Sequence, residues 1–231
     1  MAVEYTIVSI GTLSRNRLWG EGMAVRVAHA TTTYVEDSAG QQARRIIVDP
    51  SLPASVLVAR LNERTGKGLD EITDVFCTTL RPVHRRGIEA FPHANWWVNE
   101  LELLGYRHFL EQLLETAERL EDEEVSVAKA DLKLLERFRP APDKFSEQIS
   151  LYPLVGPSPG SAGLLLTPAT MTIAIAGDAA ITAEHIQRGQ VWEGCVDTEA
   201  AMQSLQDLLE VADVIIPGHD NLMIAPRQSW M

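Results

Sequence analysis

The chain has 231 residues, 45% of them hydrophobic and 23% charged, with a net charge of −12 at neutral pH. These proportions belong to an ordinary globular protein with ample length to bury a core. The acidic balance argues against nucleic-acid binding, which needs a basic face, and against docking on anionic membranes.

Two cysteines, Cys77 and Cys195, are too few for a disulfide framework and read as buried free thiols. The amino-terminal stretch "MAVEYTIVSIGTLSRN" lacks the basic start and long apolar run of a signal peptide. No run approaches the roughly 20 apolar residues of a membrane span. The expected location is the cytoplasm.

In chain order, the first strand signal is the β-branched run "YTIVSI". "AVRVAHATTTYVED", the turn "SAGQQ" and "RRIIVD" then read as strand, turn and strand. "ITDVFCTT" follows as a buried strand and is closed by the basic segment "LRPVHRRG". Trp96 and Trp97 are adjacent, so in a strand they point to opposite faces; one could line a cleft or interface, but core or partial exposure is the favoured reading. In "YRHFLEQLLETAERLEDEE", Leu110, Leu113, Leu114, Ala117 and Leu120 form a helical stripe, and Glu121 to Glu124 read as a solvated helix end. "VAKADLKLLERF" repeats the stripe with Ala128, Leu132 and Leu135, and stops at "RPAPDK", the best linker candidate.

Near the end, "MTIAIAG" and "ADVIIPG" read as buried strands. Between them lies a helix carrying Ala201, Leu205, Leu208, Leu209 and Ala212, with Thr198 as its expected N-cap. No shift in composition splits the chain. One α/β domain over residues 1–231, with helices covering sheet faces, is expected.

Three of these strand-like runs lead to a metal-capable residue at a turn: His84, Asp178 and His219. In open α/β sheets, ligands gather beyond the carboxyl ends of strands, so the three could converge. Taken singly, a His or Asp at a strand end is more often a turn residue that satisfies backbone groups. "GPSPGS" could cradle an anion with backbone N–H groups or form a rigid turn. There is no Gly-x-Ser-x-Gly elbow, Walker-type loop or dinucleotide fingerprint.

Order and context add a family resemblance. "TTTYVED" with "RRIIVDPSLP", "LDEITDVFCTTLRPVHRRGIEAFPHA", "LVGPSPGSAGLLL", "IAIAGDAAI" and "IIPGHD" resemble, in the same order, five segments of the metallo-β-lactamase superfamily. The resemblance implies a four-layer αβ/βα sandwich with a cleft at one edge and two metals, commonly zinc, sometimes iron or manganese. Its ligands carry over unevenly. In the segment that resembles His-x-His-x-Asp-His, the leading His positions hold Thr79 and Arg81, the Asp position holds Val83, and His84 keeps the last His. The His position of the next motif holds Pro157, while Asp178 and His219 match their motifs.

Two chemical readings follow and stay open on the sequence. In one, His84, Asp178 and His219 hold a single divalent metal (zinc, or iron or manganese) that activates water towards an ester, thioester, lactone or amide. In the other no metal binds. Arg81 then places its guanidinium near the vacated first site and pairs with Asp178. Arg81, Thr79 and Ser158 hold an anionic small molecule there, and the chain is a binding protein without dinuclear hydrolase activity. Arg85 and Arg86 are expected to be solvated, and His93 and Asp220 are weaker candidates for a fourth ligand. A third alternative is an interaction protein with a relic cleft, whose surfaces would include Trp192, Trp230 and the acidic face. The expected partner is a small molecule, and a homo-oligomer is compatible with the sequence.

Overall fold

The computed structural model describes residues 3–40, 43–116 and 121–226. The chain builds one sheet and then a second. The first contains β1 (Glu4–Ser9), β2 (Thr32–Asp37), β3 (Arg44–Val48), β4 (Asp74–Cys77), β5 (Asn95–Val98) and β6 (Phe138–Pro140), in that spatial order. The second contains β7 (Lys144–Ser146), β8 (Ile149–Pro153), β9 (Ala162–Leu166), β10 (Ile173–Gly177), β11 (Val214–Pro217) and β12 (Met223–Ile224), again in sequence order across the sheet. β3 and β4 run parallel, as do β10 and β11. The carboxyl ends of these two pairs supply the loops that matter below.

Alternation along the strands explains the layers. Ile46, Val48 and Phe76 face inward and meet Leu164, Leu166, Ile173 and Ile175 of the other sheet. Their neighbours Ile47, Val75 and Cys77 face outward, where they are covered by α1 (Ala54–Thr65), α3 (Glu100–Glu115) and α4 (Asp122–Leu135) through Leu57, Leu61, Leu110 and Leu135. Ala174, Ala176 and Ile215 face out of the second sheet. They pack on α5 (Ala183–Gln187) and α6 (Thr198–Val211) through Ile186, Leu205 and Leu208. Helix, sheet, sheet and helix thus make the four-layer sandwich of the metallo-β-lactamase type, since period-two strands bury both faces only between two apolar layers.

Several local expectations are revised. The linker candidate "RPAPDK" is the crossing from β6 to β7, where the chain leaves one sheet for the other. α3 begins at Glu100, before the stripe read from the sequence, while Ala117 and Leu120 lie outside the described residues. Asp197, not Thr198, caps α6. Its backbone is extended, and its Oδ1 accepts from the Ala200 N–H at 2.9 Å. Trp96 and Trp97 point to opposite faces and both meet core, in line with the favoured reading. Trp96 packs under the helices, and Trp97 packs between the sheets. Cys77 is a buried free thiol, whereas Cys195 is only half-buried. Among the described residues, no helix is long and apolar enough to cross a membrane.

Candidate functional site

Four strand ends meet at one edge of the sandwich. Asp49 follows β3, the segment 78–81 follows β4 and leads into the short helix α2 (Pro82–Arg85), Asp178 follows β10, and His219 follows β11. Gly177 makes the approach of the two sheets feasible. Its φ of +53° is in the left-handed region, and a Cβ there would sit 2.4 Å from Thr78 Oγ1. Glycine therefore lets Asp178 turn towards the β4 loop.

His84, Asp178 and His219 are all buried. The Nε2 atoms of His84 and His219 lie 3.0 and 3.1 Å from the same oxygen, Asp178 Oδ1. The two rings meet edge to face with centroids 5.6 Å apart. Each ring is oriented from behind. His84 Nδ1 donates to Asp49 Oδ2 at 3.0 Å, and His219 Nδ1 faces the carbonyls of Thr12 and His29 at 3.1 and 3.0 Å. Asp49 also accepts from the backbone N–H and hydroxyl of Thr78. One ligand atom from each of His84, Asp178 and His219 lies within 4.8 Å of the others, so the cluster could hold a metal ion.

The electrostatics follow from this arrangement. Burial alone would push the His84 imidazole down, but the carboxylates of Asp178 and Asp49 outweigh it and raise its pKa to about 10. Burial would likewise raise Asp178. The charge of His84 and the hydrogen bonds from His219 and His84 hold it well below the usual carboxylate range instead.

Arg81 completes the polar cluster. Its Nη1 donates to Asp178 Oδ2 at 2.8 Å, the oxygen that the imidazoles leave free. Its Nη2 donates to the carbonyls of Pro157 at 2.5 Å and Gly194 at 3.2 Å. The indole of Trp192 lies 4.2 Å over the guanidinium carbon. Trp192 also lines a cavity of about 470 Å³. Leu13, Leu18 and Met202 give this cavity apolar surface, and Arg15 and Arg17 give it cationic heads. Both arginines reach Glu193, at 2.7 and 2.6 Å.

The other expected site residues are placed differently. The hydroxyls of Thr79 and Ser158 do not face the cavity. They donate to the two oxygens of Glu102, at 2.7 and 2.6 Å. Arg85 is not solvated, as the sequence suggested. It is 7% exposed, and its guanidinium bonds to Asp131 and Tyr106 on the helical layer. Arg86 is exposed, as expected. His93 is exposed, and Asp220 accepts from the N–H groups of Ala183 and Asn221, so neither joins the cluster. Trp230 lies outside the described residues.

Asp49, Glu102 and the Arg81-facing role of Trp192 were not anticipated. Asp49 had a signal, a carboxylate at the end of "RRIIVD" with Pro behind it. Glu102 had none, because one Glu on an amphipathic helix reads as solvent-facing.

No protein-family model matches the chain, and no curated protein matches it. Solved structures do. A Thermotoga maritima protein provisionally assigned as a metallo-β-lactamase superposes with a TM-score of 0.68 at 18% identity, covering 97% of this chain and 100% of the other. AidC, a dizinc quorum-quenching lactonase in complex with a product, gives 0.68 at 13% identity over 87% and 76% of the two chains. A mutant of AiiA from B. thuringiensis with N-decanoyl-L-homoserine at its active site gives 0.64 at 18% identity over 95% and 94%. The fold of this chain is therefore that of the metallo-β-lactamase superfamily.

Proposed function

We propose that this chain is a metallo-β-lactamase-fold protein in which a fixed guanidinium stands in for metal charge. It binds an anionic small molecule beside the old active-site cleft and does not carry out dinuclear hydrolysis. The observation that carries this reading is the Arg81–Asp178 ion pair at 2.8 Å, with Trp192 over the same guanidinium. A dinuclear centre does not fit these residues. Where the family places the first-site imidazoles, this chain has Thr79, Arg81 and Pro157, and none of them offers a comparable lone pair. Val83, in the position of the hydroxide-orienting Asp, cannot accept a hydrogen bond from water through its side chain.

The cavity next to Trp192 suits an amphiphilic anion. Its apolar wall would take a chain, and Arg15 and Arg17 would take a carboxylate by exchange with Glu193. The salt bridges to Glu193 are partly exposed, so such an exchange is inexpensive. The N-decanoyl-L-homoserine held by the AiiA mutant is a molecule of this kind.

One observation favours a second reading, a single-metal site. Both imidazoles present Nε2 to Asp178 while their Nδ1 atoms are held by acceptors, the arrangement that orients metal-ligating histidines. His84, Asp178 and His219 would hold the ion, and bound zinc, iron or manganese would supply Lewis-acid activation of water.

Elemental analysis of protein purified without chelator or metal-binding tag separates the two. Metal well below one per chain, together with thermal stabilisation by N-decanoyl-L-homoserine or decanoate that is lost in R15A/R17A, supports the first reading. About one metal per chain, lost in H219A, overturns it in favour of the second.

A further inference from the structure

Glu102 is a buried carboxylate with no part in the readings above. It sits in the first turn of α3 and is 2% exposed. A carboxylate removed from water is tolerated only when its lone pairs are filled. Here four donors fill them. Oε1 accepts from the Thr79 hydroxyl at 2.7 Å and the Leu80 N–H at 2.9 Å. Oε2 accepts from the Ser158 hydroxyl at 2.6 Å and the Gly160 N–H at 3.2 Å. Gly160 is required for this approach, since a Cβ there would lie 2.0 Å from the Glu102 nitrogen.

The four donors come from two loops that flank Arg81. Thr79 and Leu80 immediately precede Arg81 in the chain. Ser158 follows Pro157, whose carbonyl accepts from Arg81 Nη2. One carboxylate thus fixes both the backbone from which Arg81 springs and the carbonyl that receives its tip. We infer that Glu102 is a positioning residue that clamps the 79–81 and 157–160 loops together and thereby holds the Arg81 guanidinium over Asp178. α3 thus ties the two loops together through one side chain. This inference rests on the hydrogen-bond geometry and needs neither a ligand nor a metal.

The two cysteines provide the test. Cys195 is half-buried and follows Gly194, whose carbonyl accepts from Arg81, and Cys77 is fully buried in the helix-side core. Burial holds the Cys195 thiol up at about 11, so loosening of its loop should speed reaction with a disulfide reagent such as DTNB.

In E102Q, one acceptor becomes a donor facing donors. The expected result is labelling of Cys195 faster by about tenfold, with Cys77 still silent until denaturant is added. S158A removes one bond and keeps the charge, and should give a smaller acceleration confined to Cys195. It also serves if E102Q does not fold. R81A should accelerate Cys195 labelling too, and S158A/R81A should be no faster than R81A alone, because Ser158 acts through Arg81. Unchanged Cys195 labelling in E102Q and S158A would overturn the inference. So would additive acceleration in the double variant, or Cys77 and Cys195 becoming reactive together, which reports general destabilisation. Every arm is run on the protein without added ligand or metal, so failure here is distinct from failure of the proposed function.

Discussion

Arg81 and the two histidines divide the carboxylate of Asp178 between them. The guanidinium takes Oδ2 at 2.8 Å, and His84 and His219 share Oδ1 at 3.0 and 3.1 Å. The arginine therefore neutralises the cluster without displacing either imidazole. R81A should destabilise the fold by about 2 kcal/mol in urea denaturation, the size of a lost charge-assisted hydrogen bond with its carbonyl contacts. R81K should recover less than half of this. An ammonium cannot reach Asp178 and two carbonyls in one plane, nor lie flat on Trp192. Full recovery by lysine would mean that charge alone matters at this position.

The Arg81 reading also predicts indifference to chelators. Removing trace metal should leave the Tm unchanged. A resident ion at about 100 times its Kd would contribute about 2.7 kcal/mol, which is about 5–10 °C for a chain of this size. A fall of that extent on dialysis against EDTA, reversed by zinc, would move the balance to the single-metal reading.

In the chelated protein, His84 should leave a pH signature. Its pKa is raised from 6.5 to about 10 by Asp178 and Asp49 against the effect of burial. A raised folded-state pKa stabilises fully below the unfolded value. The contribution should therefore be complete below about pH 6.5, decline as pH rises and vanish above about pH 10. Asp178, depressed in the fold, acts oppositely. Its contribution is present above the ordinary carboxylate range and is lost as pH falls through its lowered value. Urea midpoints measured across this range should fall on the alkaline side, and an imidazole NMR titration should find His84 still protonated at about pH 8. A His84 midpoint near 6.5 would contradict this account.

The neighbouring arginines should behave in opposite ways. Arg85 is buried against Asp131 and Tyr106, so R85A leaves the Asp131 carboxylate with the Tyr106 hydroxyl but without its cation and should cost about 3 kcal/mol. Arg86 is exposed, and R86A should change stability by less than about 0.5 kcal/mol. Equal effects would show that the Arg85 network carries no net stabilisation.

G177A tests the join between the sheets. The left-handed φ strains any Cβ, and Thr78 stands where that Cβ would go, so a loss of about 2 kcal/mol or more is expected. Thr78→Ala/G177A should not regain it, because the Thr78 Cβ, 2.6 Å from the added Cβ, stays in place, the hydroxyl bond to Asp49 is lost and the backbone strain persists.

Much of this molecule was legible in the sequence. The β-branched runs, bounded by Gly, Pro and Asp, marked β1, β3, β4, β10 and β11, and the strand-end positions of His84, Asp178 and His219 pointed to one edge. Local pattern failed where a residue's partner is distant in sequence. Arg85 resembles Arg86 until Asp131 is brought to it across α4. Glu102 resembles the surface acids of α3 until two loops close over it. Thr79 and Ser158 read as cleft hydroxyls because nothing local says that a carboxylate lies beneath them.

The division of the chain into consecutive sheets has a consequence for how the protein could be taken apart. Residues 4–140 form one sheet and residues 144–224 the other, joined by a single short crossing. A break at that crossing would give two contiguous fragments. The first would carry Asp49, Arg81 and His84, and the second Asp178 and His219. Each would expose an apolar sheet face that only its complement covers. Co-expressed fragments would thus have to reassemble to be soluble. Charge balance at the seam, cationic Arg81 and His84 against anionic Asp178, would favour the native face-to-face partner over self-association of either half.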